Sequence, residues 1–282
     1  MRYIVADSDT NKRLDVFVSE QLPDISRSTA TKLCELSKIT VNRKSGRPSH
    51  KVRSGDEVVI DYAPPSVPDI DLPILYEDDN CVVINKPAGI LTHSKGAFNP
   101  EATVATFIAP RLHDLPGERG GIVHRLDRVT SGIIICAKTP EAQVWLQKQF
   151  AQRRTKKAYI AVVQGQLEPP EAIIDMPIER NPKHPQTFRV GPNGKTAQTT
   201  YKTLSHNDRY SMVELKPHTG RTHQLRVHMS YLRHPIVGDE LYGAESANRV
   251  FLHAQSLEIT LPSRERKTFS SPIPQEFESL LS

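Results

Sequence analysis

The chain has 282 residues, 37% of them hydrophobic, which is enough for one large domain and one small domain with packed cores. No run approaches the roughly 20 apolar residues that cross a bilayer, and the opening MRYIVADSDTNKRL lacks the apolar stretch of a secretory signal, so a soluble, cytoplasmic protein with no membrane partner is expected. A formal charge of +5 and a pI near 9.0 favour a polyanionic partner, while Cys34, Cys81 and Cys136 are too scattered for a disulfide framework or a CxxC zinc pattern and read as reduced, structural thiols.

In chain order, Leu14, Phe17, Val18 and Leu22 recur at helical spacing, and after Ser26 the residues Ala30, Leu33, Cys34 and Leu36 do so again. Ile39 and Val41 alternate with polar residues, a KSGRP turn follows, and EVVIDY reads as a closing strand. Between Ser26 and Arg53 the basic residues Arg27, Lys32, Lys38, Arg43, Lys44, Arg47, Lys51 and Arg53 face a single acid, Glu35. The bland reading is a solvated surface. Like charge that nothing neutralises costs stability, so Arg27, Lys32, Arg43, Lys44, Arg47, Lys51 and Arg53 are candidates for contacts with nucleic acid.

APPSVPDIDLP, residues 63–73, carries four prolines and reads as a stiff linker between a module at 1–62 and a larger domain at 74–282. Beyond it CVVINKPAGIL is a buried strand and turn, ATVATFIAPRL a short helix, and PGERGG a glycine-rich loop that delivers HRLDRVTSG. IIICAK is then a central strand and PEAQVWLQKQFAQRR a helix with proline in its first turn. AYIAVVQG, TAQTTYKTLS, SMVELKP and SLEITLP read as further strands joined mainly by turns. The fold class is α/β (α+β), with a mixed, largely antiparallel sheet and a small N-terminal α+β module. The segment after Leu261 reads as a surface tail with no assigned role.

Asp127 lies between Arg125 and Arg128, after the glycine-rich loop and before a Thr-Ser-Gly turn, which puts its carboxylate at the mouth of a sheet. On spacing alone the favoured reading is a turn-capping aspartate paired with an arginine. In KPHTGRTHQLRVH, Leu225 and Met229 stand one helical turn apart, so Arg226 lies inside a helix between apolar neighbours and needs a buried anion. Asp127 is a candidate, and a structural ion pair is the alternative. Tyr159 sits on a strand and could be plain core. His218, His223 and His228 stand five apart with no interleaved carboxylate, so no metal is expected.

GIVHRLDRVTSG (residues 121–132), KKAYIAVVQG and TGRTHQLRVH together resemble the RluA-type pseudouridine synthase family, as do INKPAGILTH (84–93), HPIVGDELYG (234–243) and the stretch around His253. The N-terminal module resembles the αL-type RNA-binding domain of a small-subunit ribosomal protein. The resemblance implies Asp127 as the catalytic aspartate, Tyr159 as the aromatic under the target base, with a hydroxyl that could help remove the C5 proton, and Arg226 as the cation paired with the aspartate. It also implies Arg125 as the residue that enters the space left by a flipped nucleotide or grips its phosphate. It implies no cofactor, an RNA partner with large-subunit ribosomal RNA ahead of transfer RNA, and a monomer. Two positions depart from the family pattern: Val129, where an acid is common, and Ser37-Lys38, where a glycine usually precedes the first hairpin strand. The rival readings are a non-catalytic RNA-binding or ribosome-assembly protein and a metal hydrolase built on the histidines.

Overall fold

The computed structural model describes residues 1–22, 25–63, 66–94, 99–115 and 119–281. Pro64 and Pro65 of the proline-rich linker, and Pro116, Gly117 and Glu118 of the glycine-rich loop, lie outside them. The chain divides into two compact units, one of Met1–Ile70, His93–Pro110 and Asp114–Gly120, the other of Asp71–Thr92, Arg111–His113 and Gly121–Ser282.

The first unit opens with β1 (Arg2–Ile4), α1 (Leu14–Gln21), α2 (Arg27–Glu35), β2 (Ile39–Val41), β3 (Lys44–Ser45) and β4 (Glu57–Ile60), with strand order β1-β4-β2-β3 and antiparallel pairing throughout. The Ser26 hydroxyl accepts the Thr29 N–H and caps α2. Of the apolar positions read as helical in sequence, Leu14, Phe17, Val18, Ala30, Leu33 and Cys34 pack against Ile39, Val58 and Ile60 in one buried cluster, Leu22 lies at its margin, and Leu36, one residue past the end of α2, is exposed. One turn differs from the sequence reading. The hairpin reverses at Asn42-Arg43, both with positive φ (49° and 68°), and Lys44-Ser45 are strand, so KSGRP is not the turn. Ser37 ends α2 at φ 55°, with its N–H donating to Cys34 O and that of Lys38 to Leu33 O; a serine thus adopts the left-handed conformation in which glycine is usual. The same unit holds α3 (Val104–Ile108), whose Thr103 and Thr106 form a reciprocal cap.

The second unit contains β5 (Ile74–Glu77), β6 (Cys81–Lys86), β7 (Ser131–Ala137), α4 (Pro140–Ala151), β8 (Lys156–Gln164), β9 (Glu171–Asp175), β10 (Ile178–Arg180), β11 (Phe188–Val190), β12 (Gln198–His206), β13 (Tyr210–Pro217), α5 (Gln224–Tyr231), β14 (Leu252–Thr260), β15 (Arg266–Ser270) and α6 (Gln275–Ser279). β10 and β11 form a separate hairpin, and the other strands make one sheet in the order β5-β6-β7-β14-β8-β13-β12-β9. One pairing in it is parallel, β7 with β14, so the expectation of a mixed, largely antiparallel sheet is met. One edge of β14 is shared: β7 takes His253 and Ala254, and β15 takes Ser256 to Thr260. That split leaves β7 joined to β14 only at Ser131 and Gly132, the end that carries the Asp127 loop.

The unbroken apolar run of β7 is buried along its whole length, as a central strand requires. Ile133 and Ile135 pack with Ala142 and Leu146 of α4, while Leu225 and Met229 of α5 pack with Ile160, Val162 and Val213. The expectation for the tail after Leu261 is corrected: β15 extends the sheet, and Phe277 of α6 is fully buried in the core beside Phe251, with ring centroids 5.1 Å apart. A five-residue strand carrying two cations and a one-turn helix with one aromatic give too little periodicity to be read in sequence. Cys34, Cys81 and Cys136 are free and buried, as read. No helix of the described residues is long and apolar enough to cross a membrane.

Candidate active site

Asp127 stands four residues before β7 on a loop that is fixed from several sides. The hydroxyl of Thr92, itself buried, donates to Leu126 O at 2.9 Å and accepts the Leu126 N–H at 3.2 Å. Lys86, fully buried at the end of β6, donates through Nζ to Pro87 O and Ile90 O at 2.9 Å and reaches Arg128 O at 3.4 Å. Burial pushes that ammonium down to about 7, against the opposing pull of the Asp127 carboxylate. His124 Nε2 accepts the Ile135 N–H at 3.0 Å, and its ring stacks on Phe150; burial depresses it to about 3, so it serves as a neutral acceptor that anchors the loop to β7.

Gly132 explains the Thr-Ser-Gly turn. Its φ is +109°, and a Cβ there would collide with the backbone of Ala254, its partner in the parallel pairing. Val129 packs against the main core, which accounts for an apolar side chain where an acid is common.

The second wall of the site comes from α5. Gln224, buried at the helix start, accepts from the Thr219 hydroxyl at 2.7 Å and the Arg221 N–H at 2.9 Å, and donates to Gln198 O and Thr199 Oγ1. All of its amide is engaged, which locks the TGRTHQ turn. From the first turns of this helix Arg226, only 5% exposed, is gripped by Asp239, 1% exposed, through Nε and Nη2 at 2.7 Å each. Its remaining Nη1 faces Asp127 Oδ2 at 3.6 Å. The guanidinium also lies over the Tyr242 ring, 4.9 Å from the centroid. His223 precedes α5 at φ 56° and brings Nε2 to 4.0 Å from the same Oδ2, while its Nδ1 meets the Tyr242 hydroxyl at 2.7 Å. Burial depresses His223 below the ordinary histidine range, the Asp127 charge opposing.

These walls enclose a cleft of about 1140 Å³ lined by Arg125, Asp127, Tyr159, Lys157, His223 and Arg226, among others. Tyr159 stands on β8 opposite Leu215 and Ala254. Its hydroxyl is pushed above the ordinary phenol range by burial and, second, by the Asp127 charge, so at neutral pH it is a protonated phenol with no standing charge to remove a C5 proton. Arg125 is exposed and has no hydrogen bond or ion pair among the described residues. Sequence reasoning therefore brought together Asp127, Tyr159, Arg226 and Arg125, but it assigned no part to Asp239, Tyr242, His223, Thr92 or Lys86. The three spaced histidines do not converge. His218 bonds Thr200, His223 bonds Tyr242, and His228 bonds Thr199 and Met176 O.

Residues 80–231 match the family described as RNA pseudouridylate synthase, and residues 12–58 match the S4 domain. The chain belongs to the RNA pseudouridylate synthase family. Similar proteins include "Ribosomal large subunit pseudouridine synthase D" of Xanthomonas campestris pv. campestris, 36% identical with 99% of this chain and 91% of the relative covered. The protein of the same name from Yersinia pestis is 40% identical over 85% of this chain and 75% of the relative. Among solved structures, human RNA pseudouridylate synthase domain containing 1 covers 72% of this chain and 83% of its own, with 32% identity and a TM-score of 0.60.

As in the sequence reading, this pseudouridylate synthase chain carries its basic run on the S4-matching segment. Arg27, Lys32, Arg43, Lys44, Arg47, Lys51 and Arg53 are all exposed. Arg27 pairs with Asp15 at 3.1 Å, and Lys38, left out of the candidate set, pairs with Asp61. The left-handed Asn42-Arg43 turn sets Arg43 at the hairpin tip.

Proposed function

We propose that this protein isomerises uridine to pseudouridine in large-subunit ribosomal RNA, with Asp127 as its catalytic carboxylate. The observation that carries the reading is Asp127 in the cleft of a pseudouridylate synthase chain, with Arg226 beside one of its oxygens and Tyr159 lining the same cleft. The relatives' printed name supplies the choice of RNA.

The chemistry asks for what these residues can do. Cleavage of the N1–C1′ bond requires an ionised carboxylate close to the ribose, as nucleophile at C1′ or base at C2′. Arg226, pinned by Asp239, supplies positive charge beside it without being free to swing away. The freed uracil turns so that C5 bonds C1′ in place of N1, and the proton lost from C5 is matched by one gained at N1, so atoms balance with no cofactor. A flat apolar ring with a neutral hydroxyl, Tyr159, suits a base that slides during that turn. A uridine within folded RNA reaches the cleft by flipping out, at a cost of a few kcal/mol. Arg125, exposed at the cleft and without an ion pair among the described residues, is suited to fill the vacated stack or hold the flipped phosphate. Arg27, Lys32, Arg43, Lys44, Arg47, Lys51 and Arg53 contact the RNA backbone from a module at 1–62, joined through 63–73 to the catalytic domain at 74–282. The enzyme works as a cytoplasmic monomer without a metal.

The test is pseudouridine mapping of total RNA from a deletion strain against its parent. The reading expects loss confined to large-subunit ribosomal RNA. Loss only in transfer RNA would reassign the substrate, and no loss anywhere would overturn the activity.

A further inference from the structure

The Asp127 carboxylate is asymmetrically held. Both of its ion-pair neighbours, Arg226 Nη1 at 3.6 Å and His223 Nε2 at 4.0 Å, approach Oδ2. In each pair the nearest approach is to Oδ2 rather than Oδ1. What His223 presents to Oδ2 depends on which ring nitrogen carries the proton, and Tyr242 bears on that choice. The Tyr242 oxygen already accepts the Phe188 N–H at 3.0 Å, and among the described residues the acceptor its own proton meets is His223 Nδ1 at 2.7 Å. With Nδ1 accepting, a neutral imidazole carries its proton on Nε2, the nitrogen that faces Asp127. The ring has little freedom to turn away, because its edge contacts Phe188 and Tyr242, each with centroids 5.6 Å away. The backbone at His223 is left-handed, at φ 56°, a conformation that an ordinary side chain adopts at a cost and that aims this ring across the cleft.

We propose that His223 is a positioning residue for the isomerisation: held by Tyr242 as the neutral Nε2–H tautomer, it works with Arg226 to fix Asp127 Oδ2 and leave Oδ1 as the oxygen that acts on the ribose. This rests on the function proposed above. A neutral donor suits the task, since a second full cation beside the carboxylate would make it a poorer nucleophile or base. His223 Nε2 stands 4.0 Å from Oδ2, and for His223 to act in this way that separation must shorten to a hydrogen bond once a flipped uridine fills the cleft.

The test combines kinetics and spectroscopy on the full chain. Initial rates of tritium release from C5-tritiated ribosomal RNA of a deletion strain are measured for wild type, His223→Asn, His223→Gln and Tyr242→Phe. Asparagine tolerates the left-handed backbone and can still meet Tyr242, but it has no donor at the Nε2 position; glutamine places an amide N–H close to it. His223→Asn is expected to lower kcat about 10- to 100-fold with KM within about twofold, and His223→Gln to recover most of that loss. Heteronuclear NMR of histidine-labelled protein, with the His223→Asn spectrum giving the assignment, is expected to show Nε2 protonated in wild type and that preference weakened in Tyr242→Phe. A proton on Nδ1 in wild type, a change in KM alone, or equal losses for the asparagine and glutamine variants would overturn the proposal. A wild type that releases no tritium would instead overturn the proposed function, and the NMR result would still decide the tautomer.

Discussion

Arg226 serves two carboxylates at once: Asp239 takes its Nε and Nη2 at 2.7 Å, and Asp127 is left with Nη1 at 3.6 Å. The tighter pair is the deeper one, and it aims the looser one. Replacing Asp239 with alanine leaves a buried guanidinium whose nearest remaining anion is Asp127. The expected outcome is a loss of about 3 to 5 kcal/mol of stability in urea unfolding. The surviving Arg226 would also close onto Asp127 and lower kcat by more than tenfold. Arg226→Lys should fail similarly, because one ammonium cannot span both carboxylates. Wild-type kcat in either variant would show that the geometry of the pair is immaterial.

Gly132 gives a second expectation. With φ at +109° and the Ala254 backbone against the place of a Cβ, Gly132→Ala must push β7 and β14 apart at the end that carries the Asp127 loop. Destabilisation of at least about 2 kcal/mol is expected, together with reduced kcat. A urea midpoint unchanged from wild type would contradict the close approach.

Acid should unfold the protein partly through its buried histidines. His253, 2% exposed and bonded through Nδ1 to Ser131, is depressed from 6.5 to about 4 by burial first and Arg249 second. In the unfolded chain it binds its proton at higher pH, so the stability it contributes is whole above 6.5 and is lost progressively as pH falls to about 4. For this one residue the loss is on the order of 3 kcal/mol. Urea midpoints measured across that range should fall more steeply for wild type than for His253→Gln. Parallel curves would show that His253 is not buried neutral.

The elements that were legible in sequence are those with a strong period or a terminator: α1 and α2 from their apolar spacing, α4 from proline in its first turn, β7 from its β-branched run. β5, β10 and β11 are three or four residues long, too short to show a period, and β1 and β9 are short strands whose partners, β4 and β12, are remote in sequence, so no local pattern announces them. The same distinction runs through the site. Asp127, Arg226 and Tyr159 belong to long, ordered motifs. Asp239 lies in HPIVGDELYG and Lys86 in INKPAGILTH, runs that looked family-like but carried no assignable charge partner until the fold set Asp239 against Arg226 and Lys86 under the Asp127 loop. His223 was read only as one of three evenly spaced histidines; its left-handed backbone and its Tyr242 contact are tertiary facts.

The basic face of the S4-matching segment makes a salt-dependent prediction. Changing Arg43, Lys44 and Arg47 together to alanine should weaken RNA binding and reduce the slope of log affinity against log salt by about 2 to 3, with kcat at saturating RNA near wild type. An unchanged slope would assign those exposed cations to solvent.

The most direct measurement concerns Asp127 itself. Wild type and Asp127→Asn, a variant of nearly the same shape with no charge, are incubated with C5-tritiated ribosomal RNA from a deletion strain, and tritium release is followed together with pseudouridine content by mass spectrometry. The account predicts that wild type releases tritium in step with pseudouridine, and that Asp127→Asn binds the RNA with similar affinity but forms none. Release by Asp127→Asn at the wild-type rate would contradict it.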